Sequence, residues 1–323
     1  MASLFQFPVT YQDDPLGAGF ACATLQLPDD HEGEVIAKLI RKKANLPTKK
    51  AVLYLHGFID YFFQAEMALQ FNQHDYNFYA LDLRKYGRAL LAHQKPYNVH
   101  DLREYDAEIN QALDIIWREG HQSLILAGHS TGGLICTSYA ARNSKHPLLK
   151  GLWLNSPFFD FNISSKTAKF ALSQLIKLGA SFPNLPIPSG LSPVYVPSLH
   201  KELQGEWEFN LKLKPQHYPW VRLSFLRAVY LVQQQLQRGI RLNIPTLVMH
   251  SHQSIKARRW SDAVKRSDII LNVRDIDRCT RHIAGDVQIV SIQQAMHDVI
   301  LSKKPVRELA YQTLFTWLNA KGL

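Results

Sequence analysis

Only three of the 323 residues are cysteines, Cys22, Cys136 and Cys279. Their odd number and wide spacing provide neither a disulfide framework nor a metal-ligand set, which favours a reducing, cytoplasmic setting. The opening stretch MASLFQFPVTYQDDPLG has no basic segment followed by an apolar one, so no secretory signal is expected. No apolar run approaches the roughly 18 residues of a membrane-spanning helix. Acidic residues are outnumbered, 27 against 37 basic, which gives a formal net charge of +10. The surplus is scattered (residues 41–50, 256–260 and 302–307), and no RNP, zinc-finger or helix-turn-helix pattern accompanies it. Nucleic acid is therefore not an expected partner, while peripheral contact with an anionic membrane surface stays open. Internal repeats and low-complexity tracts are absent too.

What is present is an ordinary globular composition, 46% hydrophobic. FACATLQL and GEVIAKLIRK read as early strands joined by the turn-rich PDDHEG. Residues 52–55 run without charge and predict a buried strand, followed by a helix over FFQAEMALQFNQ and a second such strand over YNFYALDLR. Leu102, Ile109, Leu113, Ile116 and Trp117 recur at helical spacing. SLILAGHS, GGLICTSYAARN and LKGLWLNSP continue the strand–helix–strand order. This alternation predicts a mostly parallel sheet with helices on both faces. The rhythm breaks over residues 158–243 and resumes at IPTLVMHS and VQIVSI, before a final helix over PVRELAYQTLFTWLNAKG. Residues 1–157 and 244–323 thus form the expected core, and 158–243 an inserted cap.

AGHSTGGL, residues 127–134, fits G-x-S-x-G at a strand-to-helix turn, which exposes a serine at the carboxyl edge of a sheet. Gly128 and Gly132 flank Ser130 where side chains would obstruct such a turn. Ser130 is the expected nucleophile; the alternative is a glycine-rich packing turn. An oxyanion hole needs an N–H after the nucleophile and another from a loop after an earlier strand. Thr131 and Phe58, in LYLHGFID, meet that need. Of fourteen histidines, His297 stands just past the last strand, where the general base belongs. His129 is expected to face away, and His56, His250 and His252 sit at other strand ends.

With Ser130, the His-Gly loop and His297 in this order, the chain resembles the α/β-hydrolase superfamily. Within it, YLHGFIDYFFQ, ALDLRKYGRA, LAGHSTGGL and AMHDVILS are similar to the serine-aminopeptidase-like branch, which includes monoacylglycerol lipases and lysophospholipases. The resemblance implies an α/β-hydrolase fold with a helical cap insertion and a Ser-His-Asp triad. It also implies an acid soon after the penultimate strand, yet VMHSHQSIKARRWS offers no carboxylate before Asp262. Asp268 matches the family's spacing, a few residues before a helix and about thirty before the base. Asp275 and Asp277 are rivals, and Asp298 is too close to the base to orient it. Asp82 and Gly87 fit a structural segment of the family loosely, and Asp60 and Tyr61 stand near the pocket entrance.

The implied chemistry is two-step acyl transfer, with no metal or organic cofactor required. Aromatic residues crowd the cap, among them Phe158, Phe161, Tyr195, Tyr218 and Phe225, and favour an apolar acyl chain. Lys201, Lys212, Lys214 and Arg222 read as a solvated cap face with some capacity to draw in a phosphate-bearing lipid. Glu202, Glu206 and Glu208 leave open an aminopeptidase that binds a substrate amine. A non-catalytic binding scaffold is the third reading.

Overall fold

A strand whose successive side chains are all apolar must bury both faces. Residues 51–55 do so at the centre of a nine-stranded sheet. The computed structural model describes residues 9–17, 19–163 and 165–323; the start of the stretch bearing on a secretory signal lies outside the described residues. The sheet strands are β1 (Gln12–Asp13), β2 (Phe20–Asp30), β3 (Gly33–Lys42), β4 (Lys50–Leu55), β5 (Tyr76–Asp82), β6 (Ser123–His129), β7 (Leu149–Asn155), β8 (Thr246–Ser251) and β9 (Val287–Ile292). Their spatial order is β1-β2-β3-β5-β4-β6-β7-β8-β9. Pairings from β1 to β5 are antiparallel, and those from β5 to β9 are parallel.

Eight α-helices follow in chain order among the described residues: α1 (Ala65–Gln73), α2 (Asp106–Arg118), α3 (Thr131–Arg142), α4 (Lys166–Leu178), α5 (Tyr195–Leu199), α6 (Leu223–Gln237), α7 (Val273–Thr280) and α8 (Lys304–Ala320). Alternation along β4 divides them between two faces. Leu53 and Leu55 share a core with Ile109, Leu113, Leu134 and Tyr139 of α2 and α3. Val52 and Tyr54 meet Met67 and Phe71 of α1 and Leu314 and Trp317 of α8.

Two helix expectations need correction. α1 begins at Ala65 rather than Phe62; the two residues ahead of it belong to a loop in which the Phe62 and Phe63 N–H groups donate to the side chains of Asp82 (2.8 Å) and Gln64 (3.0 Å). Trp117 lies 52% exposed rather than in the core. Its helical turn points it past the edge of the face that Ile116 buries.

Between β7 and β8 the chain forms α4, α5 and α6, with an antiparallel pairing of Pro186–Ile187 and Val221–Arg222. α6 packs Phe225, Ala228, Val229 and Leu236 into the same core as the sheet. In α4, by contrast, only Ile176 is buried, and Phe170 and Leu178 are exposed. No helix among the described residues is long and apolar enough to cross a membrane.

Candidate active site

Strained backbone gathers at the carboxyl ends of the strands. Ile59, Lys85, Ser130, Ser156 and Gln294 all have positive φ, and each lies a few residues past a strand of the parallel region. A β-branched residue such as Ile59 at φ 51° is an outlier that the surrounding structure must enforce.

Ser130 adopts φ 52° and ψ −116° between β6 and α3. Its N–H donates to the Asn155 carbonyl at 2.9 Å, and its own carbonyl accepts from the N–H groups of Leu134 and Phe158. This turn requires its glycines. A Cβ on Gly128 would stand 2.5 Å from the Gly132 carbonyl oxygen, and one on Gly132 would stand 2.4 Å from the carbonyl oxygens of Leu55 and His56. The Thr131 N–H opens α3, where main-chain donors have no partner within the helix and the helix dipole favours negative charge. Phe58 follows β4 with its ring stacked on Phe225 of α6 (centroids 5.0 Å apart) and edge-on to Tyr97. His56 steadies the same loop: its Nε2 accepts from the Leu83 N–H at 3.1 Å, and Nδ1 lies 2.8 Å from the Gly57 carbonyl. Burial lowers the His56 pKa and keeps the ring neutral.

His297 and Asp268 meet. Nδ1 of His297 lies 2.8 Å from Asp268 Oδ2, with both residues buried. Oδ1 of Asp268 accepts from the N–H groups of Ile270 (2.8 Å) and Leu271 (2.7 Å). Against a carboxylate held in this way, Nδ1 carries the proton, and Nε2 is left to accept one from a hydroxyl. The basic stretch before Asp268 does not displace it. Ser254 and Asp268 form a β-bridge, so residues 255–267 loop out and return the carboxylate to the end of β8.

The rival carboxylates are engaged elsewhere. Asp275 pairs with Arg278, and Asp277 Oδ1 lies 3.0 Å from Nε2 of His250. Asp262 is exposed. Asp298 is fully buried, and its Oδ1 accepts from Asn155 Nδ2 at 2.6 Å. Burial pushes its carboxyl up to about 6, against the lowering effect of the Asn155 hydrogen bond.

Three expectations about single residues change. His129 does not face away: it lines the Ser130 cavity, with its ring centroid 4.8 Å from that of His297. Burial, with His297, Lys214 and His56 nearby, pushes its pKa well below the usual histidine value. Lys214 is not a solvated residue; it is 2% exposed, and its Nζ lies 2.7 Å from Asp60 Oδ2 inside that cavity. Asp60 accordingly lines the interior rather than the entrance. Of the acidic trio, Glu206 pairs with Arg307 and Glu208 with Lys201, and none of the three borders the cavities at Ser130. Elsewhere, Asp30, His31 and Glu104 bring possible metal-ligating atoms within 4.8 Å of one another. The Lys85 ammonium lies 2.7 Å from Asp30 and already compensates that carboxylate.

Ser130 stands where two cavities meet. One, of about 270 Å³, is apolar and lined by Phe58, Phe158, Phe161, Leu172, Phe225 and Val229 among others. The other, of about 30 Å³, has a mixed lining: Asp60, His129, Lys214 and His297 stand there beside Ile59, Leu191 and Val196. Tyr195 also lines it, with its ring 5.7 Å from that of His297. Asp60, Lys214 and Tyr195 are the site residues that sequence reasoning missed or misplaced. No local pattern marks them, because each is defined by contacts between the core and the inserted segment.

The parallel sheet flanked by helices, with a strained serine turn before α3, makes this molecule an α/β-hydrolase. Residues 47–303 match the family described as serine aminopeptidase, S33, and the chain belongs to that family of hydrolases. A mouse (Mus musculus) protein named epoxide hydrolase 4 is 34% identical over 88 residues; the match covers 27% of this chain and only 23% of that relative. A soluble variant of the monoglyceride lipase from Saccharomyces cerevisiae, solved with a substrate analogue, superposes with a TM-score of 0.65 at 16% identity. That match covers 97% of this chain and 95% of the yeast chain. The monoacylglycerol lipase of Paleococcus ferrophilus superposes at 0.64 with 18% identity, over 88% and 99% of the two chains.

Proposed function

We propose that the protein hydrolyses carboxylic esters with an apolar acyl chain, of the monoacylglycerol lipase, lysophospholipase or carboxylesterase type. Residues 158–243 act as the cap that walls the acyl site. Ser130 Oγ attacks the ester carbonyl while His297 Nε2 takes its proton, and Asp268 holds the imidazole in the required tautomer. The N–H groups of Phe58 and Thr131 stabilise the tetrahedral oxyanion. The protonated His297 then donates to the departing alkoxide, and alcohol leaves an acyl-enzyme. Water, deprotonated by the same imidazole, attacks the acyl carbonyl and releases the acid.

The observation that carries this reading is the position of Ser130 at the mouth of the 270 Å³ apolar cavity. A peptidase of the same family would need a free carboxylate beside the serine to hold an amine. Asp60, the acidic residue there apart from the one behind His297, is already matched by Lys214. The pairing of Asp268 with His297 supports the catalytic reading over a non-catalytic scaffold.

A fluorophosphonate probe is expected to label the wild type and leave Ser130→Ala unlabelled. Failure to label a folded wild type would end the esterase reading. Across p-nitrophenyl esters, kcat/KM is expected to rise about fourfold per methylene while the chain fits, since each buried CH₂ contributes ~0.8 kcal/mol.

The exposed apolar residues of α4 and its neighbourhood (Phe170, Leu178, Phe182) and the net positive charge support peripheral contact with an anionic lipid surface.

A further inference from the structure

Asn155 ends β7, paired with His129 of β6 on one side and Met249 of β8 on the other. It is 1% exposed, and it holds the nucleophile and the base by different parts of itself. Its main-chain carbonyl accepts from the Ser130 N–H at 2.9 Å. The chain just beyond returns to the same turn, where the Phe158 N–H donates to the Ser130 carbonyl at 2.9 Å. The side chain of Asn155 reaches the two residues that follow His297. Its Nδ2 donates to Asp298 Oδ1 at 2.6 Å, and its Oδ1 accepts from the Val299 N–H at 3.2 Å. Asp298 Oδ1 also accepts from the Ile300 N–H at 3.3 Å and so caps the short turn Val299–Leu301. The other oxygen of Asp298 has no hydrogen-bond partner and lies 3.9 Å from His129 Nδ1. Among the described residues Asn155 is thus the one side chain that hydrogen-bonds this carboxylate. A terminal amide donates to a carboxylate and accepts from an N–H at once, which a leucine or an ionised aspartate of the same size does not.

We propose that Asn155 is a positioning residue that sets the distance between Ser130 and His297, with its main chain on the nucleophile and its side chain on the loop of the base. The inference rests on the esterase reading and deepens it. Asp268 orients the imidazole through Nδ1, whereas Asn155 joins the loop that carries the ring to the turn that carries the serine. Ser251 ties that loop two residues ahead of His297, its Oγ donating to the Ala295 carbonyl at 2.7 Å, and makes no bond to the serine turn. Proton transfer from Ser130 Oγ to His297 Nε2 depends on their separation, and a displacement of about 1 Å costs about a hundredfold in rate.

A bond that merely completes a buried core must be told apart from one that positions. The test measures p-nitrophenyl octanoate hydrolysis and fluorophosphonate labelling on the whole protein. Asn155→Leu is expected to lower kcat and the labelling rate about a hundredfold, with KM kept within about twofold, because the acyl site is untouched. Asn155→Asp supplies a readout that packing alone would not move. Burial already lifts the Asp298 carboxyl to about 6, and a facing carboxylate would lift the proton that the two must share further still. Asp60 acts in the same direction, and Lys214 and His297 against it. Relative to the wild type at the same pH, kcat of Asn155→Asp is expected within about threefold at about pH 6, where the shared proton restores the bond. At about pH 9, with both carboxyls ionised, it is expected to be down about a hundredfold. This comparison within one folded variant decides the matter even where Asn155→Leu fails to fold. A folded Asn155→Leu with wild-type kcat, a loss in KM rather than kcat, or an Asn155→Asp deficit equal at both pH values would overturn the inference and leave the esterase reading intact. A wild type that neither labels nor hydrolyses the ester would remove the esterase reading, and this inference with it.

Discussion

A carboxylate fixed by two main-chain N–H groups and one imidazole cannot be replaced by a neighbour on the next helix. Asp268→Asn is expected to lower kcat by about ten-thousandfold, because the amide favours the wrong imidazole tautomer. Asp275→Asn and Asp277→Asn are expected to stay near wild type in the same ester assay, since these residues bind Arg278 and His250. Asp298 makes a different prediction, about stability. Its folded pKa of about 6 lies above the ordinary carboxyl value, so the folded state holds its proton more tightly than the unfolded state. The group's contribution is thus fully present below about pH 4 and is lost as pH rises through about 6. Holding a carboxyl at about 6 rather than about 4 corresponds to about 3 kcal/mol. Urea unfolding of Asp298→Asn should therefore gain on the wild type by about that amount between pH 4 and 7; a constant difference would contradict the assignment. Ser130 and His297 were legible because each stands at a strand end that the sequence itself marks. Asp268 was legible only through its spacing to His297, since the bridge to Ser254 that returns it to β8 leaves no mark in the local pattern. Lys214 read as a surface lysine because nothing beside it names Asp60 as its partner.

At the level of elements, the turn between β6 and α3 depends on the absence of side chains. Gly132→Ala would press a methyl against two carbonyl oxygens of the β4 end and is expected to cost about 3 kcal/mol in urea unfolding. Fluorophosphonate labelling should slow as well, since the same displacement moves the Phe58 loop. α6 bears on the site from the other side. Phe225→Ala would remove the stacked partner of Phe58 and part of the wall of the apolar cavity, for about 3–4 kcal/mol of stability. The preference for longer p-nitrophenyl esters should flatten with it. The sheet was readable because uncharged runs such as residues 51–55 and 124–127 have no other way to avoid water. Helix boundaries were less so: α1 starts at Ala65, after a loop tied down by a contact from the Phe62 N–H to Asp82, which is distant in sequence. Trp117 shows the same limit, because period alone does not reveal where a buried face ends.

Over the whole molecule, charge and apolar exposure combine on the inserted segment and beside it. A groove of about 700 Å³ shares Leu191, Tyr218 and Ile270 with the small cavity and is bordered by Trp220, Lys256 and Arg258. Such a rim suits a surface that offers both acyl chains and negative headgroups. Cosedimentation with phosphatidylserine-containing vesicles is expected at low salt and should weaken as ionic strength shortens the Debye length below about 10 Å. Phe170→Ser and Trp220→Ser should weaken it further, and equal binding to neutral vesicles would remove the electrostatic part of the argument. The excursion between Ser254 and Asp268 has a separate consequence for anyone who handles the protein. Its ends are clasped by the β-bridge, and residues 258–262 at its tip are exposed. A peptide epitope or a fluorescent domain spliced between Arg259 and Trp260 would hang from a closed ring of chain, so a reporter fits there without unseating the acid behind His297.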